Sequence, residues 1–168
     1  DFRSLMVLNL AARKAGWKKK APENISRGIA FFASPRWKCR LALVAEIEKR
    51  GNDYVPSRMV CAADIGLAVN PAIVRDQLEG AIVFGLTATL YGEITVSDGA
   101  VQQSNFHDYP MLRMMQTPKI ETYLTEGDSQ PGSVGEIGVP AVAPALANAF
   151  FAATGERIRQ LPLRQISA

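Results

Sequence analysis

Three extended segments joined by two short turns constrain the fold of this chain most strongly. The segments are residues 27–33, 37–48 and 54–64, and the turns are residues 34–36 and 50–53. Turns this short favour antiparallel pairing of consecutive strands, because a parallel crossover needs roughly a dozen residues or more. We therefore predict an antiparallel meander at the centre of the fold.

Helical patterns occupy three other segments, which are residues 2–15, 72–91 and 140–154. Gly16 is a natural end for the first helix, and Asn70 followed by Pro71 suits the start of the second. The second helix contains Gly80 and Gly85, and a glycine inside a helix costs about 1 kcal/mol relative to alanine. We therefore expect either another backbone or a ligand to pack closely against this helix.

The remaining segments complete a prediction of the α+β class. They are a hairpin and two short strands, at residues 93–104, 120–125 and 161–166. Residues 105–118 form a long irregular loop, whose His107 is either an ordinary loop histidine or a titrating acid–base group. We expect residues 1–168 to form a single domain, with an antiparallel or mixed sheet and helices packed on one face in two layers.

Composition excludes several classes of function. The net charge of +3 is too small to predict a nucleic-acid partner, and the basic run at residues 18–20 is typical of a solvated loop. Two cysteines and one histidine cannot supply a four-ligand metal site without carboxylates, so a metal would have to arrive with a cofactor. No apolar run is long enough to span a membrane. Because the chain starts at Asp1, without a methionine and next to a predicted helix, we expect a domain of a longer protein, whose compartment this segment does not indicate.

Two segments place a flexible loop directly before a helix, at residues 64–85 and 132–148. The first turn of a helix presents free N–H groups and a partial positive charge, which suit anionic oxygens. Glu136 in the second segment is either an acid favoured by the helix dipole or a base held ionised by it. Gln77 in the first segment is either a surface residue or an amide that contacts a cofactor.

The residues of these segments resemble those of one family. Residues 64–86 (DIGLAVNPAIVRDQLEGAIVFGL) are similar to the molybdopterin-binding segment of the xanthine dehydrogenase and aldehyde oxidase family. Residues 132–155 (GSVGEIGVPAVAPALANAFFAATG) resemble the segment around that family's active-site glutamate. Three further segments resemble the large (beta) subunits of the isoquinoline 1-oxidoreductase type, namely AARKAGW, LYGEITVSDGAVQQSNFHDYPMLRM and TGERIRQLPL. By this resemblance the chain is identified as the C-terminal molybdenum-cofactor domain of such a subunit.

The resemblance implies roles for five residues. Glu136 is the implied catalytic base, and Gln77 is the implied contact to a molybdopterin-type molybdenum cofactor. Gly80, Val134 and Gly135 are implied to lie beside that cofactor, and no metal ligand is implied in this chain. The implied reaction is the hydroxylation of a small N-heterocycle or aldehyde with oxygen taken from water.

The resemblance also implies partners that lie outside these residues. They are the N-terminal molybdenum-binding domain and a subunit or domain that carries iron–sulfur or haem centres. Because the family builds its cofactor site between two domains, we expect this chain alone to be inactive and without cofactor. The sequence departs from the family at Ile137, where proline is frequent, and at Lys18, where glycine is frequent. The alternatives are a non-catalytic binding or assembly module and a structural domain without a ligand.

Overall fold

A four-stranded sheet forms the centre of the computed structural model, which describes residues 1–127 and 129–167. Its strands are β1 (Ile25–Ser34), β2 (Cys39–Arg50), β3 (Asp53–Asp64) and β6 (Lys119–Leu124), in the order β1-β2-β3-β6. The β1–β2 and β2–β3 pairs are antiparallel, which confirms the predicted meander, and β3 pairs with β6 in parallel. The sheet is therefore mixed, and the predicted α+β class is confirmed.

Helices cover both faces of this sheet. They are α1 (Phe2–Lys14), α2 (Pro71–Leu90) and α3 (Val142–Thr154), the last preceded by a short 3-10 helix at Val139–Ala141. Helices α2 and α3 pack on one face, whereas α1 packs on the other, over β2 and β3. The predicted arrangement with helices on one face in two layers is wrong in this respect, and the domain has three layers.

The two central strands explain the three layers, because they are apolar on both sides. Leu41 and Leu43 of β2 point into the core under α2 and α3, while Ala42 and Val44 point toward α1. All four side chains are fully buried. Successive side chains of a strand point to opposite faces, so a continuous apolar run requires a cover on each face.

The helix ends follow the predicted signals. Gly16 adopts the left-handed conformation (φ +67°) directly after α1. The N–H of Gly16 donates to the Arg13 carbonyl, and the N–H of Trp17 donates to the Ala12 carbonyl, which is the Schellman pattern. The Asn70 side chain accepts hydrogen bonds from the first N–H groups of α2, and Pro71 occupies its first position. Local sequence alone therefore sets where α1 ends and α2 begins.

Glycines allow the layers on the α2–α3 side to approach closely. A Cβ at Gly85 of α2 would lie 2.7 Å from Val142 Cγ2 at the start of α3. A Cβ at Gly28 of β1 would overlap the α3 backbone at Ala145 and Ala149. Gly80 differs, since a Cβ there would have no neighbour within 4 Å. The expectation of close packing against α2 is therefore confirmed at Gly85, and Gly80 faces open space.

An ion pair joins α1 to the end of β3. Two nitrogens of Arg3, Nε and Nη2, each donate to Asp64 at 2.6 Å, and Asp64 also accepts from the Gly66 N–H at 3.1 Å. Asp64 is only 5% exposed. The hydrogen bonds from Arg3 hold the pKa of the Asp64 carboxyl below its ordinary value. This pair fixes the loop that leads from β3 into α2.

The peripheral segments are less regular than predicted. The hairpin is confirmed but short, with β4 at Val96–Ser97 and β5 at Ala100–Val101. The strand predicted at residues 161–166 is wrong, because this segment forms bends and a turn. Its three buried residues, Pro162, Leu163 and Ile166, do not alternate with exposed ones, so their spacing does not suit a strand with one covered face. No helix of the described part is long and apolar enough to cross a membrane.

A matched pair of glycine substitutions in α2 tests the close packing. Gly85→Ala should lower the free energy of unfolding by about 1–3 kcal/mol, because the new methyl group overlaps Val142. Gly80→Ala should leave it unchanged or raise it by about 0.5–1 kcal/mol, because the helix interior favours alanine and the space is open. Urea denaturation measures both, and equal effects at the two positions would contradict this packing.

The Arg3–Asp64 pair predicts a dependence of stability on pH. Because the pKa of the Asp64 carboxyl is lowered from 3.8, the stabilisation that its ion pair with Arg3 gives to the folded state is fully present above pH 3.8. This stabilisation is lost as the pH falls through the lowered pKa. Asp64→Asn should therefore reduce stability at pH 7 by about 1–3 kcal/mol and should flatten the decline in acid. Denaturation curves between pH 7 and pH 2 test this, and parallel declines for both proteins would disprove it.

Candidate functional site

The loop that follows β3 forms one side of the candidate site. Gly66 adopts the left-handed conformation (φ +67°), and a Cβ there would lie 2.6 Å from the Gln130 carbonyl oxygen. The Leu67 N–H donates to the Ser129 carbonyl at 2.9 Å. The chain then enters α2 through the capping residue Asn70. This loop is therefore held by a second loop that arrives from a distant part of the sequence.

That second loop connects β6 to the 3-10 helix and is bonded along its length. The Gly132 N–H donates to the Ile65 carbonyl at 2.7 Å, and the Ser133 N–H donates to the Trp37 carbonyl at 2.9 Å. Lys38 Nζ donates to Gln130 Oε1 at 2.6 Å. Backbone bonds to β3 and to the β1–β2 turn thus fix the loop just before residues 135–138.

A tight turn at residues 135–138 presents Glu136. Gly135 and Glu136 are exposed, whereas Ile137 is fully buried in the core and Gly138 is buried against α2. A Cβ at Gly138 would lie 2.9 Å from the Ala81 Cβ, so only glycine allows this approach to α2. The Glu136 carbonyl accepts from the Val139 N–H at 3.0 Å. Buried neighbours on its C-terminal side therefore hold Glu136 at the surface beside α2.

Glu136 and Gln77 line one cavity of about 290 Å³ between this turn and α2. Both residues are exposed, and within the described residues neither side chain makes a hydrogen bond or an ion pair. Its other lining residues are Gly80, Ala81, Phe84, Gly135 and Val139. The cavity thus combines one carboxylate and one amide with small or apolar walls.

The two glycines of the cavity leave room for a ligand. A Cβ added at either Gly80 or Gly135 would have no atom of the described chain within 4 Å. Both therefore face open space beside Glu136, in contrast to Gly138 and Gly85, which face packed protein. An open, small-residue wall with a few polar groups is typical of a surface that approaches a planar ligand closely.

Four of the five site residues expected from the sequence meet in this cavity. They are Gln77, Gly80, Gly135 and Glu136. Val134 does not line it, because its side chain is half-buried and packs against the main core. His107 also lies outside it, exposed on its loop at 3.5 Å from Asp108 Oδ2.

Sequence reasoning missed three lining residues. Ala81 and Phe84 lie one and two turns after Gln77 on the same side of α2, so helical spacing could have found them. Phe84 is 64% exposed, which is unusual for a large apolar side chain in a helix. Val139 lies three residues beyond Glu136, and only the shape of the turn brings it to the cavity.

The described residues offer no protein-built metal centre. Within residues 1–127 and 129–167, no group of three or more His, Cys, Asp or Glu side chains could hold a metal ion. Cys39 and Cys61 are free, and burial raises the pKa of both thiols. A buried thiol with a raised pKa is a poor source of thiolate at neutral pH.

Comparisons with known proteins identify relatives of this chain. A family model for molybdopterin cofactor-binding domains matches residues 8–118. The beta subunit of isoquinoline 1-oxidoreductase from Brevundimonas diminuta is 38% identical over 167 residues, which cover 96% of this chain and 21% of that protein. A nicotinate dehydrogenase subunit from Pseudomonas putida is 32% identical over 97% of this chain and 15% of that protein.

A solved structure shows the same fold. The aldehyde oxidoreductase from Desulfovibrio desulfuricans matches with a TM-score of 0.64 and 26% identity, over 76% of this chain and 15% of that one. The chain spans about a fifth or less of the length of these relatives. The family-model match contains Gln77 and Gly80 and ends before Glu136. This chain belongs to the family of molybdopterin cofactor-binding domains, and its relatives are subunits of oxidoreductases.

Proposed function

We propose that this chain forms one wall of the active site of a molybdenum hydroxylase, with Glu136 as the catalytic base. The observation that carries the proposal is the shared cavity of Glu136 and Gln77, which are 59 positions apart in the sequence and lie on different elements. An exposed carboxylate without a partner among the described residues is free to accept a proton.

The residues of the cavity fit a cofactor that brings its own metal. The Gln77 amide can donate and accept, so it suits the polar edge of a pterin ring system. Gly80 and Gly135 leave the space beside it open, and Val134 would support the turn from behind. When bound, a molybdopterin-type molybdenum cofactor supplies an electron-accepting metal that acidifies water.

Glu136 then has a defined task. Its carboxylate would accept a proton from the water-derived oxygen, which would make that oxygen nucleophilic toward an electron-poor carbon of the substrate; the two electrons of the C–H bond that is replaced would pass to the cofactor. Ile137 and Gly138 fix the backbone of the turn that carries this carboxylate, because both are buried next to it in sequence. The relatives named for isoquinoline, nicotinate and aldehyde oxidation support a small N-heterocycle or aldehyde as the substrate.

The shape of the cavity supports a site that needs further protein. A small-molecule site buries most of its ligand, usually within about 300–1,000 Å³ of enclosed space. The volume of this cavity, about 290 Å³, is at the lower end of that range, and the cavity is partly open to solvent. We therefore propose that an N-terminal molybdenum-binding domain supplies the opposite wall and that iron–sulfur or haem centres elsewhere remove electrons. The chain alone would then hold no cofactor and show no activity.

Two other functions remain as alternatives. In the first, the chain is a binding or assembly module that keeps the fold without catalysis. In the second, it is a structural domain, and Glu136 only favours the start of the helical segment through the helix dipole. Both alternatives predict that the charge of Glu136 is dispensable for turnover, so substitution at this position separates them from the proposal.

Glu136→Gln should abolish most hydroxylation in enzyme reconstituted by co-expressing this chain with its missing molybdenum-binding domain. We expect turnover to fall by about 10²- to 10⁴-fold, because the amide cannot accept the proton. Molybdenum content should remain at the level of the unmodified enzyme, since Glu136 is proposed as a base and not as a cofactor ligand. Steady-state kinetics and metal analysis on the same samples measure the two effects.

The control for this experiment is Glu126→Gln, which makes the same change at an exposed glutamate outside the cavity. It should leave turnover unchanged. Full activity of Glu136→Gln would disprove the catalytic role and favour the binding or assembly module. Loss of molybdenum together with activity would show that Glu136 holds the cofactor.

Gly80→Leu tests the cavity itself in the same reconstituted enzyme. Leucine is a good helix former and its Cβ meets no neighbour, so the chain should fold, but the longer side chain fills the space beside Gln77. We expect molybdenum content to fall by about tenfold or more, whereas Gly80→Ala should retain most of it. Normal molybdenum content in Gly80→Leu would show that the cofactor lies elsewhere.

A further inference from the structure

A second and larger cavity lies on the opposite face of the sheet, between α1 and β1. Its volume is about 650 Å³, and we name it the α1–β1 groove. Leu8 and Ala12 of α1 form one wall, Ile29 of β1 forms the floor, and Trp17 forms one end. Most of its surface is apolar.

The groove exists because α1 does not cover the edge of the sheet. Helix α1 packs over β2 and β3, while β1 is the edge strand and touches α1 only slightly. Phe31 lies two residues after Ile29 on the same face and is 42% exposed, and Leu5 precedes Leu8 by one turn and is 56% exposed. The apolar surface therefore continues along β1 and α1 on both sides of the groove.

The end of the groove is built rigidly. The Schellman turn at Gly16 folds Trp17 back toward Ala12, and Trp17 remains 40% exposed. Arg27 Nη1 donates to the carbonyls of Gly16 and Lys19, at 3.0 Å each, and Arg27 Nε donates to the buried Glu46. A surface that is already ordered binds a partner at a lower entropic cost.

Positive charge borders one end of this apolar surface. The charged residues that line the groove are Arg13, Lys18 and Lys19, and no carboxylate is among its described lining residues. Arg13 and Lys18 lie on the two sides of Trp17 in sequence, so the cations flank the aromatic end. A ligand that fits must present apolar groups toward Leu8 and Trp17 and negative charge at that end.

We propose that the α1–β1 groove docks an amphipathic helix of an acidic partner protein. Such a helix would lie beside α1 and complete the layer over β1, with its apolar stripe on Ile29 and Leu8 and its carboxylates near Lys18 and Lys19. Helix α1 lines the concave groove from Leu8 to its end, roughly 10 Å along the helix axis, which suits about two turns of an inserted helix better than the flat surface of a membrane. The site lies across the sheet from Glu136, and the proposal does not depend on the proposed catalysis.

Two designed amphipathic peptides with a dye label test the proposal. Both carry the same apolar stripe, and the residues beside this stripe are glutamate in one peptide and lysine in the other. We expect the folded chain to bind the acidic peptide at least about tenfold more tightly by fluorescence anisotropy. The Lys18→Glu, Lys19→Glu double variant should reverse this preference. Trp17→Ala should weaken binding of the acidic peptide by about tenfold.

The matched control is the Arg75→Glu, Arg113→Glu double variant, which changes the net charge equally at exposed positions outside the groove. It should keep the preference for the acidic peptide.

Equal binding of both peptides, or binding that survives Trp17→Ala, would overturn the proposal. Two other results would also overturn it: sedimentation of the chain with phosphatidylserine vesicles but no peptide binding, and self-association that Trp17→Ala abolishes. The first would identify a membrane as the occupant, and the second would identify another copy of the chain.

Discussion

The contact between the turn at Gly138 and helix α2 determines where Glu136, the proposed base, reaches the surface. A side chain at Gly138 would overlap Ala81, so the turn sits directly on the helix backbone only because this residue is glycine. Ile137 inserts into the core beside it. With these two residues buried, the preceding Glu136 has to emerge at the edge of α2, next to Gln77. The position of the carboxylate is therefore a consequence of packing and not of any bond that its own side chain makes.

The sequence predicted the elements whose signals are local. Asn70 with Pro71 and Gly16 mark helix ends through their own backbone and side-chain chemistry, and short turns are enough to pair β1, β2 and β3. The number of layers depends on which helix packs on which face, and helical periodicity alone does not decide that. The unbroken apolar run from Leu41 to Ala45 did carry this information, since a strand with two apolar sides must be covered on both faces.

The candidate site was predictable only in part, for a related reason. Patterns of residue types identified two loops before helices, but the pairing of Gln77 with Glu136 rested on family resemblance, because no local rule joins residues so far apart. Val134 was expected beside a cofactor and instead packs against the core. Phe84 was missed because an exposed aromatic in a helix resembles a core residue until the fold shows its direction. Side-chain direction is thus the information that residue patterns lack.

Helix α1 lies on the far face of the sheet and yet contributes to the geometry of the cavity. Its Arg3 holds Asp64, and the same Asp64 oxygen that accepts from Arg3 Nη2 also accepts from the Gly66 N–H. Gly66 in turn packs against the loop that carries the chain to Glu136. The two faces are therefore coupled through one buried carboxylate at the end of β3. A partner helix docked beside α1, as we propose, would contact the helix that carries Arg3, and Arg3 holds this carboxylate; docking would therefore stabilise the loops that frame the candidate site.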